Sequence, residues 1–308
     1  MKKNLLLRGF KALEYGCELR ESKNTKMKKD NKMFSLGKAA VCLVVIWGFS
    51  VGNARAAASY DGVGIASAVL NSKTGKIVDG KNTGKKLPVA SLTKLMTALV
   101  LLDEKINFSR KVTITSGDLN YVNDYINKGD STSKVNLRAG DQVKMGDLWN
   151  AMLVASSNES AVALVRNSGI SKSEFVEKMN VKARALGLKE TEFKEYTGID
   201  SDNISTPEEM AVIAREAFAK KKISSTSTKK SYTMKVLNRR GSVVAQNRNN
   251  SLLQMDPKGM KIGYLTEAKN NVAMRFAGKK DGIVVVMHAE STAERNAEVK
   301  RLKKILAR

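Results

Sequence analysis

Residues 88–98 read PVASLTKLMTA, and within them Ser91 stands three positions before Lys94. Apolar side chains recur at helical spacing through this stretch and beyond it, which predicts an amphipathic helix over about residues 91–105. Side chains at positions i and i+3 of a helix share a face, where a lysine amine can take the proton of a serine hydroxyl. The stretch therefore predicts a serine nucleophile and a lysine base at the start of a helix.

The Ser-x-x-Lys pattern alone is weak evidence, because this chain is rich in lysine. The pattern also occurs at Ser35, Ser131 and Ser227, and its ordinary interpretation is a helix-capping serine beside a solvated lysine. Only the copy at Ser91 opens a strongly amphipathic helix. The first backbone N–H groups of a helix have no helical acceptor, so the N–H of this serine is free to point at an oxyanion.

Two Ser-x-Asn sequences follow downstream. Residues 156–158 (Ser-Ser-Asn) interrupt an apolar helical tract, where polar residues indicate either an inter-helix turn or a cleft. Residues 201–203 lie in an ordinary polar loop. Ser156 and Asn158 are therefore the stronger candidates for a functional site.

A Lys-x-Gly sequence is the third candidate motif. Lys-Thr-Gly occurs literally at residues 73–75, but in a predicted hairpin turn where threonine and glycine are common. The stronger candidate is Lys261-Ile262-Gly263, on a predicted strand near the C-terminus. Glycine on a strand would let a substrate backbone approach the strand edge closely.

Composition restricts the chemistry. The 308 residues include 54 Lys plus Arg, 30 Asp plus Glu, one histidine and two cysteines, with a formal net charge of +24. A histidine-based triad could use only His288, whose ordinary interpretation is structural, and a His/Cys zinc site is close to impossible. We predict no metal and no cofactor, which leaves serine, lysine, asparagine and carboxylates as catalytic groups. Trp149 is predicted to lie in the core.

Residues 1–56 predict a basic leader and a secretory signal peptide. Residues 39–51 (AAVCLVVIWGFSV) are the most apolar stretch, but as a helix they rise only about 20 Å, short of the roughly 30 Å of a bilayer core. Lysines precede the stretch, and residues 54–56 (Ala-Arg-Ala) follow it as a cleavage site, which predicts a cut before Ala57. An uncleaved membrane anchor is the alternative, and the true start of translation stays open.

Residues 57–308 are predicted to form a single two-lobed domain with excess positive charge. The leader holds 12 basic and 4 acidic side chains, which leaves a net charge of +16 on the rest. Cys17 and Cys42 leave with it, so the exported part has no disulfide or thiol chemistry. The charge favours anionic surroundings. Export to the periplasm or the cell-wall space favours cell-wall polymers or a membrane surface, and no nucleic-acid partner is expected.

The order of predicted elements indicates a mixed α/β fold. A hairpin over about residues 62–81 and a three-stranded meander over about residues 260–289 enclose several helices, and a helix over about residues 293–306 ends the chain. We predict an antiparallel sheet built from N- and C-terminal strands, flanked by helices, with an inserted mainly helical lobe. In that lobe Thr206 is predicted to cap a helix in a capping box with Glu209.

Taken in order, the motifs resemble the low-molecular-mass penicillin-binding proteins, the serine D-alanyl-D-alanine carboxypeptidases and their endopeptidase relatives, which share the β-lactamase-like fold. The resemblance runs from about Ala66 to the C-terminus. The stretch around Ser91 is its most specific part. The resemblance is carried by residues 88–98, 156–161, 197–199, 203–206 and 261–264.

This resemblance implies the catalytic groups. Ser91 would attack the carbonyl of a terminal D-Ala-D-Ala peptide and form an acyl-enzyme that water releases. Lys94 would be the general base, provided that burial and the neighbouring Lys261 cation lower its pKa well below the free value near 10.4. Ser156 would relay the proton to the leaving amine.

The resemblance also implies the binding groups. Asn158 would hold a substrate amide, and the strand at Lys261, Ile262 and Gly263 would pair with the substrate backbone. The oxyanion would lie between the backbone N–H groups of Ser91 and Tyr264. The implied partner is a peptidoglycan stem peptide, with β-lactams as covalent inhibitors because they mimic that peptide.

The sequence departs from the family at Ile262, where a threonine hydroxyl usually helps to bind the terminal carboxylate of the substrate. A lost hydrogen bond to a charged group costs about 1.5–3 kcal/mol, so we expect weak turnover or altered substrate choice. A D,D-endopeptidase that cleaves cross-links and an inactive wall-binding homologue stay open as alternatives. A β-lactamase is disfavoured, because no Glu-x-x-x-Asn sequence lies between Asn158 and Lys261.

Overall fold

The structure is a computed structural model that describes residues 62, 64–126, 132–278 and 280–308. The predicted leader, its cleavage site and both cysteines lie outside the described residues, as do Ser35 and Ser131 of the alternative Ser-x-x-Lys sequences. Within the described ranges, no helix is both long enough and apolar enough to span a bilayer.

Strands from both ends of the described chain form one five-stranded antiparallel sheet. The strands are β1 Ala66–Asn71, β2 Ile77–Lys81, β3 Leu87–Pro88, β4 Lys111–Thr113, β5 Gln142–Lys144, β6 Ile204–Ser205, β7 Ser231–Lys235, β8 Ser242–Gln246, β9 Gly259–Leu265, β10 Lys269–Phe276 and β11 Gly282–Ala289. The order across the sheet is β2-β1-β11-β10-β9, and each pairing is antiparallel. The predicted fold class is confirmed.

Among the described residues, eight of the α-helices lie in the chain between β2 and β9. They are α1 Thr93–Asp103, α2 Ser116–Asn120, α3 Met145–Val154, α4 Asn158–Arg166, α5 Lys172–Ala185, α6 Pro207–Ala219, α7 Lys221–Ser227 and α8 Asn250–Leu253, followed after the sheet by α9 Thr292–Ala307. The first eight lie in the segment inserted between the strands of the sheet, where α2, α7 and α8 go beyond the predicted helices, and α9 is the predicted terminal helix.

The sheet is covered by helices on both faces. Along β11, Ile283, Val285 and Met287 belong to the apolar cluster formed with α1 and α6. The intervening Val284 and Val286 belong to a second cluster with side chains of α9. Because successive side chains of a strand point to opposite faces, this alternation places the sheet between the two helical layers.

Helix α1 differs from the amphipathic helix that the sequence predicts. Thr93 through Leu101 are all buried, because α4, α5 and α6 pack around this helix. A helix that is packed on every side lies inside a core, and in α1 the buried residues include the polar Thr93, Lys94 and Thr97. The lysine at the start of α1 is therefore buried with the rest, which the spacing of its apolar residues does not show.

The predicted start of α6 is right in one respect and wrong in another. The Thr206 hydroxyl caps the helix by accepting the backbone N–H of Glu209 at 3.2 Å. The Glu209 carboxylate does not close a capping box: it accepts the backbone N–H groups of Lys189 and Glu190. A loop distant in sequence competes for this carboxylate, and a local motif cannot reveal such a competitor.

The β7–β8 hairpin goes beyond the predicted elements. Met234, Val243 and Ala245 are buried, and the residues that alternate with them on each strand are exposed or half-buried. This period-two pattern is typical of a paired strand with one face on the core. Arg239, in the turn, pairs with Asp141 at 2.6 Å and ties the hairpin to the loop before β5.

Two single residues lie where the sequence predicts. Trp149 on α3 is buried in the first apolar cluster, with its ring 5.3 Å from that of Phe108 in an edge-on contact. His288 is buried on β11, and its backbone N–H donates to Asn271 Oδ1 at 2.8 Å. The Asn271 amide also donates to the carbonyl of Pro88 at 3.0 Å, which fixes β10 against the segment that leads into Ser91.

Candidate active site

Ser91 lies in a 3₁₀ turn, Ala90–Leu92, that leads directly into α1. The sequence predicts an ordinary first helical turn here, whereas Ala90 has a positive φ of 48°, a conformation that residues with a side chain seldom adopt. The hydroxyl of Thr93 donates to the Ala90 carbonyl at 2.8 Å and holds the turn. The turn presents the partly exposed Ser91 at the end of a buried helix.

Lys94 is fully buried one helical turn after Ser91. Its Nζ lies 3.0 Å from Ser91 Oγ, 2.7 Å from Asn158 Oδ1 and 2.5 Å from the carbonyl oxygen of Thr197. Amide and carbonyl oxygens only accept hydrogen bonds. A neutral amine can therefore donate its two hydrogens to Asn158 and Thr197, which leaves its lone pair for the hydroxyl proton of Ser91.

The electrostatic environment of Lys94 suits a base. Burial lowers the pKa of Lys94 from 10.5 to about 8, while the carboxylates of Glu195 and Glu159 oppose the shift. The sequence predicts that a Lys261 cation lowers the pKa of Lys94. In the structure the influence runs from Lys94 to Lys261: Lys94, together with burial, holds the pKa of Lys261 well below its usual range. Desolvation by the surrounding core is therefore the main cause of the lowered pKa of Lys94.

Lys261 and Ser156 meet beside this pair. Lys261 is buried on β9 and donates to Ser156 Oγ at 2.7 Å and to the carbonyl of Ile262 at 2.8 Å. Ser156 has a positive φ of 60° in the short connection between α3 and α4. The site thus holds two hydrogen-bonded groups, Lys94 with Ser91 and Asn158, and Lys261 with Ser156. They are neighbours, because the charge of Lys94 acts on Lys261, and the order of the motifs predicts this proximity.

The connection between α3 and α4 is both an inter-helix turn and part of the site. Ser157 caps α4 by accepting the backbone N–H of Ser160 at 3.1 Å. The backbone N–H of Asn158 donates to the carbonyl of Ser133 at 2.9 Å, while its side chain accepts from Lys94. The sequence leaves open whether these polar residues form an inter-helix turn or face a cleft. In the structure they form the turn and also supply side chains to the site.

Gly263 has a structural role that the sequence does not predict. A Cβ atom at this position would lie 3.0 Å from the backbone nitrogen of Ser91 and 3.1 Å from the carbonyl oxygen of Val89. The close approach that this glycine allows is therefore between β9 and the turn that carries Ser91. Substrate pairing along β9 stays a prediction.

Ile262 and Tyr264 alternate with Lys261 and Gly263 along β9. Ile262 is partly buried, lies opposite Val272 and packs against the second apolar cluster. Tyr264 is 62% exposed. The substrate-binding role of Ile262 and the oxyanion role of the Tyr264 backbone N–H stay predictions.

The alternative motifs have structural roles. Lys73, Thr74 and Gly75 lie in the turn between β1 and β2, where the Asn71 side chain accepts the backbone N–H groups of Lys73 and Thr74. Ser227 Oγ donates to the carbonyl of Ser224 and accepts the backbone N–H of Met260. Neither motif lies among the hydrogen bonds around Ser91.

The loop at residues 195–199 completes the site, although the motifs assign it no role. Thr197 supplies the carbonyl that accepts from Lys94, and Gly198 has a φ of 81° and lies against Ala90. The only sequence signal is the stretch at residues 197–199 within the family resemblance. A backbone carbonyl carries no residue-type signature, so the partner of Lys94 is visible only in the fold.

Comparison with known proteins gives a consistent result. The family model of D-alanyl-D-alanine carboxypeptidase matches residues 55–291. The chain is 32% identical over 246 residues to the D-alanyl-D-alanine carboxypeptidase DacF of Bacillus subtilis, which covers 77% of this chain and 60% of that protein. It is 38% identical over 136 residues to a D-alanyl-D-alanine endopeptidase of Haemophilus influenzae, with 44% of each protein covered.

The fold comparison agrees. A Streptomyces DD-transpeptidase structure is similar with a TM-score of 0.70 and 27% identity, over 79% of this chain and 95% of that one. The chain spans only about half the length of the Bacillus and Haemophilus relatives, 60% of one and 44% of the other. The family match includes Ser91, Lys94, Ser156, Asn158 and Lys261. The chain belongs to the D-alanyl-D-alanine carboxypeptidase family.

Proposed function

We propose that this chain is a serine-type D-Ala-D-Ala carboxypeptidase that acts on peptidoglycan stem peptides. The observation that carries the proposal is the buried amine of Lys94, 3.0 Å from Ser91 Oγ, with acceptors at Asn158 and Thr197 for its own hydrogens. Family membership supports the reaction class.

Acylation starts at Ser91. Its Oγ attacks the carbonyl carbon between the two D-alanines, the hydroxyl proton passes to Lys94 Nζ, and the carbonyl electron pair moves onto oxygen. That oxygen would lie between the backbone N–H groups of Ser91 and Tyr264. Collapse of the intermediate breaks the C–N bond. Ser156, whose Oγ accepts from Lys261 at 2.7 Å, gives its hydroxyl proton to the leaving amine. It then receives from Lys94 the proton that Lys94 took from Ser91.

Deacylation uses the same base. Water attacks the ester carbonyl of the acyl-enzyme and gives a proton to Lys94. Lys94 then returns a proton to Ser91 Oγ as the C–O bond breaks, which releases the shortened peptide. β-Lactams would acylate Ser91 by the same attack and remain bound when water fails to reach the ester.

Strand β9 supports the binding of an extended peptide. It is an edge strand, because it neighbours only β10 in the sheet. The outer edge of such a strand presents backbone groups that can pair with an added strand. We expect the peptide to pass Lys261 and Asn158, both buried, on its way to Ser91, and Asn158 would hold one of its amides.

A D,D-endopeptidase reaction is the second candidate, favoured by the 38% identity to the Haemophilus endopeptidase. We would incubate the purified protein with a monomeric stem pentapeptide and with a cross-linked dimer. Release of D-alanine from the monomer would support the carboxypeptidase. Cleavage of the dimer alone would support the endopeptidase, and no cleavage by folded protein would support an inactive wall-binding homologue.

Ile262→Thr is expected to raise kcat/KM for a D-Ala-D-Ala peptide by about tenfold or more, because a threonine hydroxyl would restore a bond to the substrate carboxylate. Ile262→Val is the matched control, since valine has the shape of threonine without the hydroxyl. Peptide hydrolysis measured for both variants decides the point. Equal rates for the threonine and valine variants would contradict the role assigned to position 262.

We also propose that the chain acts in the periplasm or the cell-wall space, and that an uncleaved leader would hold it at the membrane. There it would contact anionic cell-wall polymers. Residues 217–255 contain nine lysines and arginines and no acidic residue. Eight of the nine are exposed. Binding to purified wall polymer should weaken as salt rises, because such contacts are screened; salt-independent binding would contradict this part.

A further inference from the structure

A buried carboxylate lies behind the Lys94 base. Glu195 is 2% exposed. Its carboxylate accepts the backbone N–H of Thr197 at 2.5 Å and of Ile199 at 2.9 Å, and also that of Gly198. Among the described residues, Glu195 takes part in none of the ion pairs. Burying a charge that only neutral donors hold costs free energy. We therefore expect the Glu195 carboxylate to have a function that offsets this cost.

These bonds fix the loop that contacts the catalytic pair. The carbonyl of Thr197, whose own N–H Glu195 holds, accepts from Lys94 Nζ at 2.5 Å. Gly198 lies so close to the nucleophile turn that a Cβ there would be 2.1 Å from the carbonyl oxygen of Ala90. Movement of the loop would therefore move both the acceptor of Lys94 and the backbone before Ser91.

Asn203 extends this network to α1. Its Nδ2 donates to Glu195 Oε1 at 2.8 Å and to Thr93 Oγ1 at 3.2 Å. Thr93 directly precedes Lys94, and its hydroxyl donates to Ala90 as described above. The carboxylate is thus linked to the base through the loop on one side and through the helix start on the other.

The charges that face Lys94 come from three further elements. Glu195 lies on the loop, Glu159 on α4 and Lys261 on β9. The two carboxylates raise the pKa of Lys94, against the larger effect of burial. Glu159 accepts the backbone N–H of Val135, a residue outside the loop, at 2.6 Å. Glu195, in contrast, combines its charge with control of the Thr197 carbonyl.

We propose that Glu195 is a positioning residue for the general base: its carboxylate holds the Thr197 carbonyl against Lys94 and offsets the positive charge that Lys94 gains with the proton of Ser91. In that step the O–H bond of Ser91 breaks and an N–H bond forms on Lys94, so a new cation appears inside a core. The inference rests on the proposed function, since it assumes that Lys94 is the base. Glu195 itself does not touch the substrate.

The test compares Glu195→Gln with wild type in the rate of Ser91 acylation by a fluorescent penicillin across pH. Removing the carboxylate should lower the plateau rate about tenfold, because the Lys94 cation loses its counter-charge. It should also move the midpoint of the pH profile to lower pH by about one unit, because an anion that favours the charged amine is gone. Glu192→Gln is the matched control, since Glu192 is 53% exposed and pairs with Lys194.

The charge-conserving variant Glu195→Asp separates charge from shape. It should keep the midpoint near that of wild type even if its plateau falls, and it replaces Glu195→Gln if that variant shows no cooperative unfolding transition. A lowered plateau with an unmoved midpoint in Glu195→Gln would overturn the inference, because a purely structural role predicts that result. Wild-type protein that is not acylated at any pH would overturn the proposed function, and this inference with it.

Discussion

Lys94→Met is expected to lower the rate of Ser91 acylation by penicillin by about 10²–10⁴-fold, the range for loss of a general base. Methionine fills a similar volume in a buried site but cannot take the hydroxyl proton of Ser91. The base must be neutral to act, and the pKa of Lys94 is lowered to about 8. The wild-type rate should therefore rise with pH up to about 8 and level off above it, and the variant should lose this dependence.

Labelling rates across pH, together with thermal unfolding, check this result. Lys73→Met is the matched control, because Lys73 is an exposed lysine of the turn at residues 73–75, and its rate should equal that of wild type. A folded Lys94→Met protein that acylates within tenfold of wild type, with the same pH profile, would show that another group is the base.

Gly198→Ala is expected to lower acylation by about 100-fold or more and to destabilise the fold by about 1–3 kcal/mol or more. The added Cβ would lie 2.1 Å from the carbonyl oxygen of Ala90 and 2.9 Å from the nitrogen of Ser91. The nucleophile turn must then shift, and a small misplacement of reacting groups is enough for a loss of this size.

Gly187→Ala isolates the steric part of this effect. Gly187 has a φ of 80°, close to the 81° of Gly198, but an added Cβ there meets nothing within 4 Å. Both variants carry the same conformational strain, so only Gly198→Ala should lose acylation. Equal acylation rates in the two folded variants would contradict the placement of this loop against Ser91.

The parts of the site that the sequence predicts are those carried by local patterns. Ser91 and Lys94 are one helical turn apart, Ser156 and Asn158 break an apolar tract, and Lys261 lies on a predicted strand. Each pattern is weak by itself, and their order along the chain makes the combination specific. The fold class follows from strands at both ends and helices between them, as the five-stranded sheet confirms.

The parts that the sequence does not predict depend on contacts between distant segments. The carbonyl of Thr197 reaches Lys94 across 103 positions, and backbone groups leave no mark in the residue pattern. The Glu209 carboxylate bonds to the backbone at Lys189 rather than to its own helix start. The burial of Thr93 through Leu101 on every side of α1 depends on the three helices that pack around it, and the spacing of its apolar residues does not show that these helices are there.

Gly263 has a close neighbour that its motif does not reveal. A glycine on a strand indicates that some backbone comes close, and the sequence leads to the substrate as the neighbour. In the structure the neighbour is the turn of Ser91. The glycine therefore sets the distance between β9 and the nucleophile, a constraint that exists before any substrate binds.

Covalent labelling by a fluorescent penicillin tests whether Ser91 is a nucleophile that Lys94 activates. The purified protein and Ser91→Ala would be incubated with the probe at pH 8, near the pKa of Lys94 at about 8, then denatured and separated by mass. Wild type should carry a covalent label, and Ser91→Ala should carry none. A label that persists in Ser91→Ala, or no label on well-folded wild type, would contradict this role of Ser91.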